Sequence, residues 1–222
     1  MTPTDPLPPW REDDDLLEAV AADGRPACRV VAWPRHEVVV GRGGDPAREV
    51  HLAAAAAAGV PVRRRRGGGC AVLLDPGNVV VSVVLPLPGV GRVTRAFRAA
   101  TGWLATGLTA CGCPGVTGAG TSDLVRGDRK VGGSCIYRTR GLLYYSTTLL
   151  VDPDLALMER LLPHPPREPA YRAGRPHRDF LGRLGDDDRL AAPGLARRLA
   201  AVLDPDRLLD SLETGAQGAP PA

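Results

Sequence analysis

The sequence predicts an α+β domain with a mixed, largely antiparallel sheet flanked by helices. Three observations carry this. Extended, β-branched runs dominate the middle of the chain, above all Val79–Leu85 and Leu142–Val151. Helical patterns lie among them without the strict strand–helix alternation of a parallel sheet. A compact turn, Gly127-Asp128, joins two neighbouring extended runs directly.

The elements follow in order. Residues 1–11 hold four prolines and read as a flexible leader. Asp13-Asp14-Asp15 places acids at the start of a helix over Leu16–Ala22, and Gly24 ends it. Arg29–Trp33 and Glu37–Gly41 read as strands joined at Pro34. Asp45-Pro46 opens a helix that runs through the alanine block Ala53–Ala58 to Gly59. Residues 60–85 read as a β-hairpin with a glycine-rich kink at Gly67–Gly69 and a turn at Asp75–Asn78. Phe97, Ala100, Leu104 and Leu108 give Thr94–Leu108 a helical apolar face. Ser122–Arg126 and Arg129–Tyr137 flank Gly127-Asp128, and Leu142–Val151 follows as another strand. Asp152-Pro153 opens a helix over Asp154–Leu162. Pro163–Pro176 is a proline- and arginine-rich loop, and His177–Leu184, Gly194–Leu203 and Asp206–Leu212 read as short helices. The expected organisation is a leader over 1–12, a catalytic domain over 13–185, a helical extension over 186–215 and a tail over 216–222.

Composition narrows the function. A net charge of +3 does not by itself call for nucleic acid or a membrane surface. No apolar stretch is long enough to span a bilayer, and the proline- and acid-rich N-terminus lacks the order of a signal peptide. Five scattered cysteines, an odd number, point to reduced thiols and a cytoplasmic setting. Cys111-Gly112-Cys113 is too sparse for a zinc site, so no metal site is expected from protein ligands alone.

Among 28 lysines and arginines there is a single lysine, Lys130. In a chain that uses arginine for nearly every cation, this marks a position where a compact ammonium serves and a planar fork does not. Two segments carry chemistry. Arg63–Arg66 followed by Gly67-Gly68-Gly69 can cradle an anion, because glycines let the backbone approach a ligand and turn successive N–H groups inward. Read blandly, it is a solvated basic run, and it has no interleaved aromatics for stacking bases. In the second segment, Thr121–Ser134, a hairpin sets Lys130 early in a strand. Gly132 and Gly133 leave space beside it, and Asp123 on the paired strand can balance its charge. Read blandly, this is an edge hairpin with a glycine bulge.

Together these segments resemble the lipoate–protein ligase family, related to biotin ligases. Four stretches match in order: Val38–Arg42; Arg64-Arg65, Gly67–Gly69, Ala71–Leu73 and Asp75–Asn78; Ser122–Val125 with Asp128–Ser134; and Thr148–Leu150 followed by Asp152 and Asp154. The resemblance implies the catalytic-domain fold of biotin and lipoate ligases and ATP- and magnesium-dependent activation of lipoate or a medium-chain acid such as octanoate. An acyl-adenylate forms, and the acyl group passes to a lysine of a lipoyl-carrier domain or H-protein-like acceptor. It implies Lys130 as the central catalytic residue, with Arg65, Gly68, Gly69, Cys70, Ala71, Val72, Leu73, Asn78, Asp123, Gly133 and Ser134 around nucleotide and substrate. Strands 79–85 and 142–150 would supply an acyl tunnel. Departures occur at Leu74 and Ser146, where the family has His, at Ser122, where it has Asn, and at Cys70. The short C-terminal region leaves room for a separate accessory subunit. Two alternatives stay open: an ATP-independent octanoyl- or lipoyl-transferase using Cys70 or Cys113, and a binding homologue without turnover.

Overall fold

The computed structural model describes residues 7–89, 93–185 and 190–214. The predicted tail, the first half of the leader and residues 186–189 lie outside them.

Helix α1 (Asp14–Asp23) begins on two acids and closes on Gly24, whose φ of 71° is the left-handed cap that glycine adopts freely. Strands β1 (Ala27–Ala32) and β2 (Glu37–Val40) follow. Although close in sequence, they belong to different sheets. The predicted helix over 46–58 is two: α2 (Pro46–Glu49) and α3 (Leu52–Ala57). Val50 is extended and buried between them, and the His51 N–H donates to Leu161 O at 2.8 Å. Packing of Val50 thus overrides the continuity that the alanine block suggested.

The predicted hairpin over 60–85 is replaced by a different topology. Strand β3 (Val62–Arg64) pairs in parallel with β2, while β4 (Val72–Leu74) pairs antiparallel on its other side, in the order β3-β2-β4. Strand β5 (Asn78–Leu85) crosses to the large sheet. That sheet has the order β1-β5-β9-β8-β7-β6, antiparallel throughout. Its other members are β6 (Val116–Ala119), β7 (Asp123–Arg126), β8 (Arg129–Thr139) and β9 (Leu142–Leu150). The predicted fold class therefore stands. Strand β6 was missed because Val-Thr-Gly-Ala is short and interrupted by glycine.

Alternation along the strands divides the large sheet. Val79, Val81, Val83 and Leu85 of β5, with Leu143, Tyr145 and Leu149 of β9, join one hydrophobic core. The long helix α4 (Val93–Ala110) covers that face through Phe97, Leu104 and Leu108. The C-terminal helices α7 (Ala192–Val202) and α8 (Pro205–Thr214) add Leu195, Leu199, Leu208 and Leu212 to the same core. A second core lies under the small sheet, with Val38, Val40 and Leu73 packed against Leu157 and Leu161 of α5 (Leu155–Leu161) and Phe180 of α6 (His177–Phe180). Helix α6 is half the predicted length, because Leu181 leaves it to bridge Lys130 and the Gly182 N–H donates to Lys130 O at 2.8 Å.

The segment before α1 is not a free leader from residue 7 onward. The Arg64 N–H donates to Pro8 O at 2.9 Å, and the Trp10 N–H donates to Arg64 O at 2.8 Å. Trp10 stacks on Trp33 with ring centroids 6.1 Å apart. Asp13 is buried and accepts from Ser82 Oγ and the Tyr144 hydroxyl, each at 2.6 Å. Burial, reinforced by the adjacent Asp13 carboxylate, pushes the Tyr144 hydroxyl pKa well up and keeps it a donor.

Candidate active site

The other face of the large sheet, opposite the small sheet, borders a cleft of about 460 Å³. Strand β9 turns Tyr144, Ser146, Thr148 and Leu150 into it, and β5 turns Val80. Of the predicted acyl tunnel, then, only alternate residues reach the cleft, because a strand shows one side chain in two to each face. Much of the apolar lining comes instead from Leu73, Leu74, Met158, Leu162, Phe180 and Leu181.

Both predicted chemical segments reach this cleft. Arg65, Gly69, Cys70, Ala71, Val72 and Leu73 line it, as do Asp123, Lys130, Gly133 and Ser134. Gly68 and Asn78 do not. Gly68 contributes its carbonyl to Arg65. Asn78 is buried in the β4–β5 turn, donating to Asp75 Oδ1 at 2.8 Å. Its place in the motif is structural.

Arg65 is also more structural than its sequence setting suggested. Its guanidinium donates to the carbonyls of Val39 at 2.8 Å, Gly68 at 2.7 Å and Cys70 at 2.9 Å. Those bonds hold the Gly67–Cys70 loop in shape and spend most of the fork. The loop lies close against Gly41, where an added Cβ would run into Gly69 O. A Cβ on Gly67 would come within 2.5 Å of Cys135 Sγ. Ala71 donates its N–H to buried Glu49 at 2.6 Å, fixing the end of the loop.

Lys130 sits early in β8, beside a register shift in its pairing with β7. Its ammonium donates to Asp123 Oδ1 at 2.8 Å and keeps 26% of its side chain exposed. The second oxygen of Asp123 accepts from the Tyr171 hydroxyl at 2.7 Å. Burial and the Asp123 carboxylate raise the Tyr171 pKa, so this hydroxyl remains a donor. A Cβ on Gly133 would lie 2.9 Å from Lys130 Nζ; glycine leaves the ammonium its place. On the same strand, Ser134 Oγ donates to Ser122 O at 2.7 Å and accepts from Tyr145 at 3.0 Å.

Tyr171 belongs to the loop 163–176, which sequence reading treated as a connection. This loop is ordered by its own side chains and by the β7–β8 turn. Glu168 accepts from the Gly174 N–H at 3.1 Å, and the Arg175 guanidinium donates to the carboxylate and to the backbone carbonyl of Asp128, both at 3.0 Å. A short 3-10 turn (Ala170–Arg172) brings Arg172 to the cleft, where it is only 4% exposed. His177 lines the cleft too, and burial together with Arg172 lowers its pKa to about 4, so the imidazole is neutral near pH 7. Trp10, Asp13 and Arg66 complete one end. A usable sequence signal was the tyrosine itself: the chain has only four, and one stands in this polar loop.

The cysteines separate clearly. Cys70 and Cys135 line the cleft; Cys113 is buried in the core beneath α4 and does not. Burial raises the Cys135 pKa despite nearby Arg65. The Cys70 thiol lies 3.6 Å from Arg167 O.

A two-sheet α+β domain thus gathers one ammonium, a glycine loop and apolar walls on a single cleft. The Lipoyl protein ligase A/B catalytic domain family matches residues 5–180, and the chain belongs to that family. Solved structures share the fold. A Thermoplasma acidophilum protein described as a lipoate protein ligase, with bound lipoic acid, is 20% identical with a TM-score of 0.70, over 87% of this chain and 78% of that one. A lipoate-protein ligase A bound with ATP has the same identity, coverages and TM-score. LipL1 of P. falciparum in complex with lipoate is 18% identical with a TM-score of 0.61, over 88% of this chain and 52% of that one. No curated protein sequence matches the chain. None of the described helices is long and apolar enough to cross a membrane.

Proposed function

We propose that the chain activates lipoate or a medium-chain acid such as octanoate with ATP and passes the acyl group to a carrier-domain lysine. The observation that carries this reading is the convergence of the only lysine and the Arg65-braced glycine loop on one apolar-walled cleft. A carboxylate oxygen of the acid would attack the α-phosphorus of ATP, releasing pyrophosphate and leaving an acyl-adenylate. The carrier lysine's amine would then attack the carbonyl; AMP departs and the amine gives up a proton. Lys130 serves both steps by meeting negative charge on the carboxyl and α-phosphate oxygens. Asp123 and Tyr171 hold that ammonium in place. The neutral His177 adds no competing charge. The close seat of Gly69 on Gly41 suits a loop that approaches phosphate through its backbone.

Among the described residues, no group of three His, Cys, Asp or Glu is gathered to hold a metal. In this reading magnesium enters on the nucleotide's phosphates. The acceptor is a lipoyl-carrier domain or H-protein-like chain, a separate accessory subunit is a further partner, and the setting is cytoplasmic. A solved relative is described as a bi-partite lipoate protein ligase with its E2 lipoyl domain, which supports the choice of acceptor and partner. Acid-dependent exchange of pyrophosphate into ATP tests the reading: purified, folded chain should exchange with lipoate or octanoate, and a complete lack of exchange with either overturns it.

One observation favours a second reading, transfer from an acyl thioester. Cys70 shares the cleft with Lys130, whereas Cys113 lies outside it. The Cys70 thiolate would attack the thioester carbonyl of octanoyl-carrier protein and release the carrier's thiol, leaving an octanoyl thioester on Cys70 that is visible in the intact mass and lost in C70S.

A further inference from the structure

We propose that Arg172 is a second cation of the substrate site and grips an oxyanion there, either the carboxylate of the acid or a phosphate of the nucleotide. None of the motif stretches read from the sequence contains it.

The argument starts from burial. A guanidinium taken out of water needs its hydrogen bonds made or its charge matched. Arg172 is 4% exposed, yet its Nη2 is buried without a hydrogen-bond partner among the described residues. Nε donates to Arg175 O at 2.9 Å and lies 3.5 Å from Glu168 Oε2. That carboxylate is shared: Glu168 also lies 2.9 Å from His164 Nε2 and accepts from the Gly174 N–H. The protein thus positions this arginine without fully satisfying it.

Its placement points to a ligand. Arg172 lines the same cleft as Lys130. Its guanidinium carbon stands 4.8 Å from the centre of the Phe180 ring, which fixes the plane of the fork. Ala173, the next residue, takes a left-handed φ of 51°, a conformation that an alanine adopts only when its surroundings hold it there. The preceding residue, Tyr171, is bonded to the carboxylate that holds Lys130. Two cations of different geometry are therefore set by neighbouring residues. A point charge tolerates a moving ligand, while a planar fork matches the two oxygens of a carboxylate or phosphate. Burial lowers the affinity of Arg172 for its proton, the expected cost of keeping a charge ready for an incoming anion.

The assignment rests on the acid-activation reading only for the identity of the anion. Binding to the full chain tests it, with octanoate, its uncharged amide octanamide, and inorganic pyrophosphate as probes, in wild type and R172M. The expected result is an octanoate Kd raised about tenfold or more, with octanamide within about twofold. A comparable loss confined to pyrophosphate assigns the anion to the nucleotide and supports the site equally. The proposal is overturned if the folded variant binds both anions within about threefold of wild type, or if octanamide loses as much as octanoate. Should R172M not fold, wild-type crystals soaked with each anion decide. An anion oxygen within about 3.2 Å of Nη2 supports the site, and anion density only elsewhere overturns it. Wild type that binds octanoate but shows no pyrophosphate exchange would remove the activation reading and leave this one standing.

Discussion

Among the described residues, Lys130 is held by the Asp123 carboxylate and that carboxylate by the Tyr171 phenol, so the lysine and the tyrosine yield separable predictions. K130R keeps the charge but replaces a compact ammonium with a broad planar fork, which cannot present the same point charge to the same oxygens. Acid-dependent pyrophosphate exchange should fall about a hundredfold while the melting temperature holds, since positioned charge of this kind contributes a few kcal/mol to a transition state. Y171F removes only the bond to Asp123. Tyr171 acts through Lys130 as a positioning residue, so kcat should drop about tenfold with little change in KM, because the lost interaction matters most as charge develops. His177 gives a pH signature. Its folded pKa is about 4, below the ordinary 6.5 of the unfolded chain. Above pH 6.5 both states are neutral and the fold keeps its full stability. As the pH falls, the unfolded chain gains a proton first, and stability declines until both states are protonated below about 4. H177Q should flatten that decline, read as melting temperature against pH.

At the level of elements, the glycine loop of the cleft is pinned by its neighbours. Arg65 braces Gly67–Cys70, and Gly41 supplies the flat surface on which Gly69 rests. G41A would drive its new Cβ into the Gly69 carbonyl, so we expect a loss of about 1–3 kcal/mol in stability and weaker ATP binding, measured by urea unfolding and equilibrium titration. The two cores also set how the elements bend. Val50 breaks what the alanine block would continue, and Leu181 is pulled from its helix to lie along Lys130. In each case a buried contact outweighs the few tenths of a kcal/mol per residue that helix propensity offers.

Across the whole molecule, the N-terminal segment closes one end of the cleft. Asp13 reaches Ser82 and Tyr144, 69 and 131 residues away in sequence, and Arg29 bonds it from β1. D13A leaves those hydroxyls without their buried acceptor; the expected cost is about 3 kcal/mol in urea unfolding with an unchanged slope. The C-terminal helices belong to the main core rather than to a separate appendage, because Leu195, Leu199, Leu208 and Leu212 pack with Leu104 and Leu108.

What the amino-acid order determined alone is local. The α+β class, the hairpin carrying Lys130 and the helix with its face of Phe97, Leu104 and Leu108 all follow from spacing, turn chemistry and composition within short windows. The tertiary structure decided the rest. It split residues 60–85 between two sheets, used Arg65 to brace the glycine loop, set Asn78 away from the cleft, brought Arg172 and His177 into it and tied Tyr171 to Asp123. The physical reason is that hydrogen-bond partners such as Asp123 and Tyr171 stand 48 residues apart. Their pairing depends on which faces of two sheets come together, and no local period encodes that.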